Sequence, residues 1–143
     1  MRFLKHIVLG LSLLLISGIF SACESGRGEI IPYVKVDLYF LLYADLADLG
    51  IGDSKVVGGG ASGIVIYRES DLVFHAFDRT CTEYPEHLEA VVAHTEFFGV
   101  FECPECGSTY MLMNSGQPNS GPAQHALVEY YAILQGDVLH VYN

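Results

Sequence analysis

Basic residues are scarce in this 143-residue chain: Lys and Arg number 7 against 17 Asp and Glu, a formal net charge of −10. A surface of that sign repels nucleic-acid phosphates and anionic lipid headgroups, so neither is expected as a partner. Hydrolytic chemistry also lacks its parts, with no His-Glu-x-x-His helix, no paired catalytic carboxylates and no Ser/His/Asp set. The run Gly58-Gly59-Gly60-Ala61-Ser62-Gly63 has neither the Gly-Lys-Ser/Thr ending nor the following helix pattern of a phosphate loop. It reads as a flexible turn or bulge between strands. Internal repeats and low-complexity tracts are missing too, and no small-molecule substrate site is apparent.

What is present begins with the leader. Arg2 and Lys5 precede an almost wholly apolar stretch, 7–20, and Ser21-Ala22 supplies small residues before Cys23. This is the architecture of a secretory signal, too short and too quickly followed by polar residues for a membrane span. The placement of Cys23 resembles a bacterial lipobox, in which that cysteine is acylated and becomes the mature N-terminus. The implied organisation is a signal peptide over 1–22, a lipid-anchored polar tether over 23–32 and one domain over 33–143, exported to the bacterial cell envelope and held at the membrane through Cys23. Removing the leader takes away Arg2 and Lys5 but none of the acids, so the mature chain is more acidic still. Roughly 120 residues remain, enough for one core.

Those residues read as strands. Val36, Leu38, Phe40 and Leu42 share one face at period two, and 44–53 is a loop that Leu46, Leu49 and Ile51 tuck down. Residues 63–68 and 72–77 flank a short Glu69-Ser70-Asp71 loop as a hairpin, and 126–134 and 138–142 flank Gln135-Gly136-Asp137 as another. Residues 88–94 suit a short helix or a strand, 97–101 suits a strand, and 114–122 suits an irregular loop. Tyr33, Tyr39, Tyr43, Tyr130, Tyr131, Phe97 and Phe98 read as core and strand-face aromatics. Many short strands between turn residues indicate an all-β sandwich or barrel of antiparallel strands.

Three cysteines fall in two of the turns. Cys103-Pro104-Glu105-Cys106-Gly107 directs two thiols into one concavity, because Pro104 fixes φ and Gly107 permits a tight backbone. Cys81 stands in the upstream turn Asp78-Arg79-Thr80-Cys81-Thr82-Glu83, where Asp78 and Arg79 suggest an ion pair. Such spacing is what a metal ion or a redox disulfide requires. His75 and His140 read as packed or surface residues, and His125 as a solvated one near the site.

The segments around Cys81, the run Cys103-Pro104-Glu105-Cys106-Gly107-Ser108-Thr109-Tyr110 and Gly121-Pro122-Ala123 resemble, in order and spacing, the Rieske iron–sulfur domain, over about 32–143. Rieske domains read Cys-x-His in a first loop and Cys-Pro-x-His-Gly-Ser in a second, with a Gly-Pro-Ala loop closing over a [2Fe–2S] cluster. Two cysteines bind one iron and two histidines the other. The resemblance implies a two-loop, cysteine-bearing tip, with Cys81 and Cys103 as cluster ligands. At the second iron the chain departs: Glu83 occupies the first histidine position and Cys106 the second. A carboxylate and a thiolate in place of two imidazoles add negative charge, lower the reduction potential and remove the titrating rings. His87, and further on His94, are candidates to swing in instead.

Three readings remain open. The first is a non-standard [2Fe–2S] cluster on Cys81, Cys103, Cys106 and either Glu83 or His87. The second is a zinc or iron knuckle, since Cys-Pro-x-Cys-Gly is also similar to rubredoxin and zinc-ribbon turns. The third is a metal-free, disulfide-stapled structural or interaction module on the same scaffold. None is an enzyme in its own right; the first is a one-electron carrier serving a redox partner or other envelope protein. The leader carries its own expectation: Cys23→Ala moves the protein from the membrane fraction to the soluble fraction on cell fractionation. A variant that stays with the membranes refutes the acyl anchor.

Overall fold

The computed structural model describes residues 30–143. The leader, Cys23 and most of the tether lie outside the described residues. The rest is almost entirely β, in two antiparallel sheets. The larger has the strand order β1 (Asp37–Leu41), β10 (Val138–Tyr142), β9 (Glu129–Gln135), β4 (Phe74–Asp78), β3 (Ile64–Arg68) and β2 (Ser54–Val57). The smaller has the order β5 (Val92–Ala93), β6 (Val100–Glu102), β7 (Thr109–Met111) and β8 (Gln117–Ser120). Among the described residues no helix is long and apolar enough to cross a membrane.

Side chains of β3 and β4 explain why two sheets form. Ile64, Ile66, Phe74 and Ala76 enter one core with Leu38, Phe40, Leu139, Val141 and Tyr130. Val65, Tyr67 and Phe77, on the opposite face, enter a second core with Phe101, Tyr110, Leu112 and the cysteines. Strands buried on both faces carry unbroken apolar runs, which is how 64–67 reads. Each of the Val, Ile, Leu and Phe side chains contributes about 1.5–3 kcal/mol on burial. Thus β3 and β4 form the wall shared by the two cores, and the chain leaving β4 reaches the second core as Cys81.

The expected alternation in the first strand is present: Val36 and Leu42 are buried, and Leu38 and Phe40 pack against the same core. Leu46 and Leu49 tuck the following loop down, but Ile51 is 59% exposed. The β9–β10 hairpin turns through Gly136-Asp137, with Val138 opposite Gln135. Other expectations need correction. The 114–122 stretch contains β8, whose Pro118 is accommodated because β8 is an edge strand. Phe97 and Phe98 lie in the turn before β6 and are exposed, Phe98 at 96%, while Tyr33 and Tyr43 are also exposed. Of the aromatics expected inside, Tyr130 is buried in the first core. Tyr39 and Tyr131 stand on the outer sheet face, where Tyr39, His140, Tyr142 and Tyr131 stack in succession. Residues 88–94 form neither a helix nor one long strand: a single 3-10 turn, Pro85–His87, precedes them, and β5 is two residues long.

His75 joins the β3–β4 loop to β9, with Nε2 2.8 Å from Glu69 Oε2 and Nδ1 2.7 Å from Glu129 Oε1. Burial opposes its protonation, but the two carboxylates outweigh this and raise its pKa above the ordinary imidazole value. A raised folded-state pKa stabilises the fold below the unfolded value, and that contribution fades as pH rises through the folded value. After allowance for solvent screening it is about 0.5 kcal/mol. His75→Gln therefore lowers the urea midpoint at pH 6 and has a smaller effect at pH 8.5; an equal loss at both pH values refutes the charged bridge.

Candidate metal centre

Cys81 follows β4 directly. Its turn is held by Asp78, which is fully buried. Oδ1 accepts from the Thr80 backbone N–H at 2.9 Å and from Thr80 Oγ1 at 2.6 Å. Oδ2 accepts from the Ala61 N–H at 2.6 Å and from Tyr130 Oη at 2.7 Å. With four donors, the carboxylate can remain in the interior. The expected Asp78–Arg79 ion pair is not formed: Arg79 Nε instead donates to the Val91 carbonyl at 2.9 Å. The glycine run is explained by the same carboxylate. A Cβ on Gly60, at φ +63°, would fall 2.2 Å from Asp78 Oδ2, so only glycine lets the loop wrap it. Beyond Asp78 the chain is clamped to 89–91, with Cys81 N–H donating to Glu89 O at 2.8 Å and Val91 N–H to Arg79 O at 2.7 Å.

The other two cysteines lie on the β6–β7 hairpin. Cys103 N–H donates to Ser108 O at 2.8 Å and Gly107 N–H to Cys103 O at 2.9 Å, closing a tight knuckle. Backbone hydrogen bonds from Cys106 and Glu105 reach the Cys103 sulfur. A third loop seals the side: Ala123 N–H donates to Ser108 Oγ at 3.0 Å. Gly121 approaches so closely that a Cβ there would sit 2.4 Å from Ser108 Cα.

The fold brings the three sulfurs within 4.8 Å of one another, with Cys81 Sγ 3.5 Å from Cys106 Sγ. All three are free thiols. Cys81 and Cys103 are buried and Cys106 is partly exposed. Tyr110 Oη lies 3.5 Å from Cys81 Sγ and accepts from the Thr82 N–H at 3.2 Å. Thr82 Oγ1 in turn donates to His125 O at 2.7 Å, so His125 meets the site through its backbone. Burial pushes the Cys103 thiol up to about 12 and raises the Tyr110 phenol as well. Burial also acts against ionisation of Cys106, but its hydrogen bonds with the Ser108 side chain and backbone, and with the neighbouring thiols, outweigh it and lower that thiol. Soft, closely grouped sulfurs of this kind suit a thiophilic cation, whose charge favours ionisation of them all.

The remaining candidates stand apart from this group. Glu83 is not in the cluster of potential ligands, which among the described residues comprises the three cysteines. His87 Nδ1 lies 3.2 Å from Glu105 Oε1 at the loop rim, and the ring stacks on Tyr84. His94 Nδ1 accepts from the Glu96 N–H at 3.1 Å. Sequence reasoning did not find the supporting roles of Thr80, Thr82 and Tyr130. An Asp two residues before Thr80 was a usable signal, because Asp side chains commonly bond the backbone two residues on.

No protein-family model matches the chain, and no curated protein matches it. Solved structures do. One is a chain of the complex of reduced oxygenase and oxidized ferredoxin in carbazole 1,9a-dioxygenase, 22% identical, with a TM-score of 0.52, covering 76% of this chain and 93% of that one. Another is the ferredoxin of carbazole 1,9a-dioxygenase from Nocardioides aromaticivorans IC177, 18% identical, with a TM-score of 0.50, covering 77% and 98%. The all-β domain described here has this Rieske-like fold.

The support of Cys81 by Asp78 has a measurable consequence. Asp78→Ala strands buried donors from Ala61, Thr80 and Tyr130 and costs roughly 3 kcal/mol, whereas Tyr130→Phe removes one hydroxyl and costs about 1 kcal/mol. Urea denaturation of the two variants checks the order; a smaller loss in Asp78→Ala refutes the anchoring role.

Proposed function

We propose that this protein is an envelope-tethered one-electron carrier whose metal is held by Cys81, Cys103 and Cys106. The convergence of the three sulfurs within 4.8 Å carries the reading. Its support has three parts: the Rieske-like fold, the likeness to ferredoxins, and thiol chemistry concentrated where three loops meet. One matched chain belongs to a complex of an oxygenase and a ferredoxin, which favours a protein redox partner here too. The acidic surface would give such a partner a basic docking face. The leader and Cys23 support export and acylation, which would confine the encounter to the membrane surface.

The chain's own residues supply position and electrostatics. Cys81 and Cys103 come from two different turns and lie in the second core, so ligand motion is small. Tyr110 and Ser108 present polar atoms to the Cys81 and Cys106 sulfurs, and such hydrogen bonds tune a metal–thiolate centre. Cys106, the partly exposed thiol of the three, would give electrons a route to a docked partner.

Protein isolated anaerobically is expected to carry a redox-active metal and to undergo reversible one-electron reduction, read by voltammetry and by the accompanying change in visible absorption. Cys103→Ser abolishes both. Protein that binds metal yet shows no redox couple refutes the carrier role.

A further inference from the structure

The thiol trio has a shape that a two-iron cluster does not match. Thiolates bound at about 2.3 Å around one tetrahedral ion stand about 3.8 Å apart. Cys81 Sγ and Cys106 Sγ are 3.5 Å apart, and Cys103 Sγ lies within 4.8 Å of both. A [2Fe–2S] unit instead requires one pair of ligands beyond each iron, the pairs separated by the length of the cluster. In the Rieske pattern the Cys106 position serves the second iron with an imidazole. A cysteine sulfur stands one bond beyond Cβ and an imidazole Nδ1 two, so the thiol donor stays nearer its own backbone. The other second-iron position, Glu83, is outside the group, and His87 is engaged by Glu105. Among the described residues the three cysteine donors converge on one point.

We infer that Cys81, Cys103 and Cys106 bind a single thiophilic ion as three thiolates, with its fourth tetrahedral position open to an external ligand. The inference rests on the metal-binding reading above and narrows it: the ion is iron where the protein carries electrons. Burial determines which side is open. Cys81 is 0% and Cys103 1% exposed, whereas Cys106 reaches the surface, so the free vertex lies on the Cys106 side, toward the rim where Glu105 meets His87. The Tyr110 and Thr82 network closes the Cys81 side. Three anionic sulfurs on a divalent ion leave one net negative charge, which favours a neutral external ligand such as an imidazole or water over an anion.

The test uses the full chain, purified anaerobically. Metal and acid-labile sulfide are measured as isolated, and the stripped protein is then titrated with Co²⁺ alone. One metal per chain without sulfide is expected. Cobalt should saturate at one equivalent, with thiolate-to-cobalt charge transfer and the visible bands of a tetrahedral site, and these bands should move when imidazole is added. Two irons and two sulfides per chain overturn the single-ion site while leaving the electron-carrier reading intact. One zinc and no redox couple support the single-ion site and overturn the carrier. Protein that holds no metal as isolated and takes up no cobalt overturns both. Cobalt bands that imidazole leaves unmoved overturn the open fourth position.

Discussion

A buried carboxylate with four donors organises the end of the protein where the cysteine turns meet. Asp78 ends β4, ties the glycine loop down through Ala61, shapes the turn to Cys81 through Thr80, and binds β9 through Tyr130. These partners come from three separated stretches of chain, so one charged group coordinates their folding. A charge in a low-dielectric interior is tolerated only with such a complete set of donors, and losing one leaves the rest costly. That constraint accounts for features which look unrelated along the chain, including a glycine that admits no side chain and a Tyr hydroxyl inside an apolar core.

The two cores divide the labour. The first packs aliphatic and aromatic side chains against the larger sheet. The second mixes aromatics with the thiols, so the groups that would bind metal are also packing atoms. Cys81 and Cys103 are as buried as Phe101 or Leu112. Metal binding there would couple to loop order, because burial opposes ionising the Cys103 thiol without a cation. The solved ferredoxin structures share this arrangement of the scaffold.

Period-two alternation and turn residues were enough to read the all-β class, the hairpin around Gly136-Asp137 and the inward face of β1, because they are local consequences of backbone geometry. Cysteine spacing and the Gly-Pro-Ala segment likewise pointed to the three loops that meet at the tip. Tertiary packing decided what alternation leaves ambiguous. Phe97 and Phe98 are apolar yet exposed, since the turn before β6 carries them away from both cores, and Pro118 sits in a strand because that strand is an edge. The grouping of the three sulfurs arises at the same level. Whether Glu83 or His87 joins Cys81, Cys103 and Cys106 depends on where separate loops point in space. Side-chain reach, burial and competing partners such as Glu105 govern that, and none of them is written in residue order.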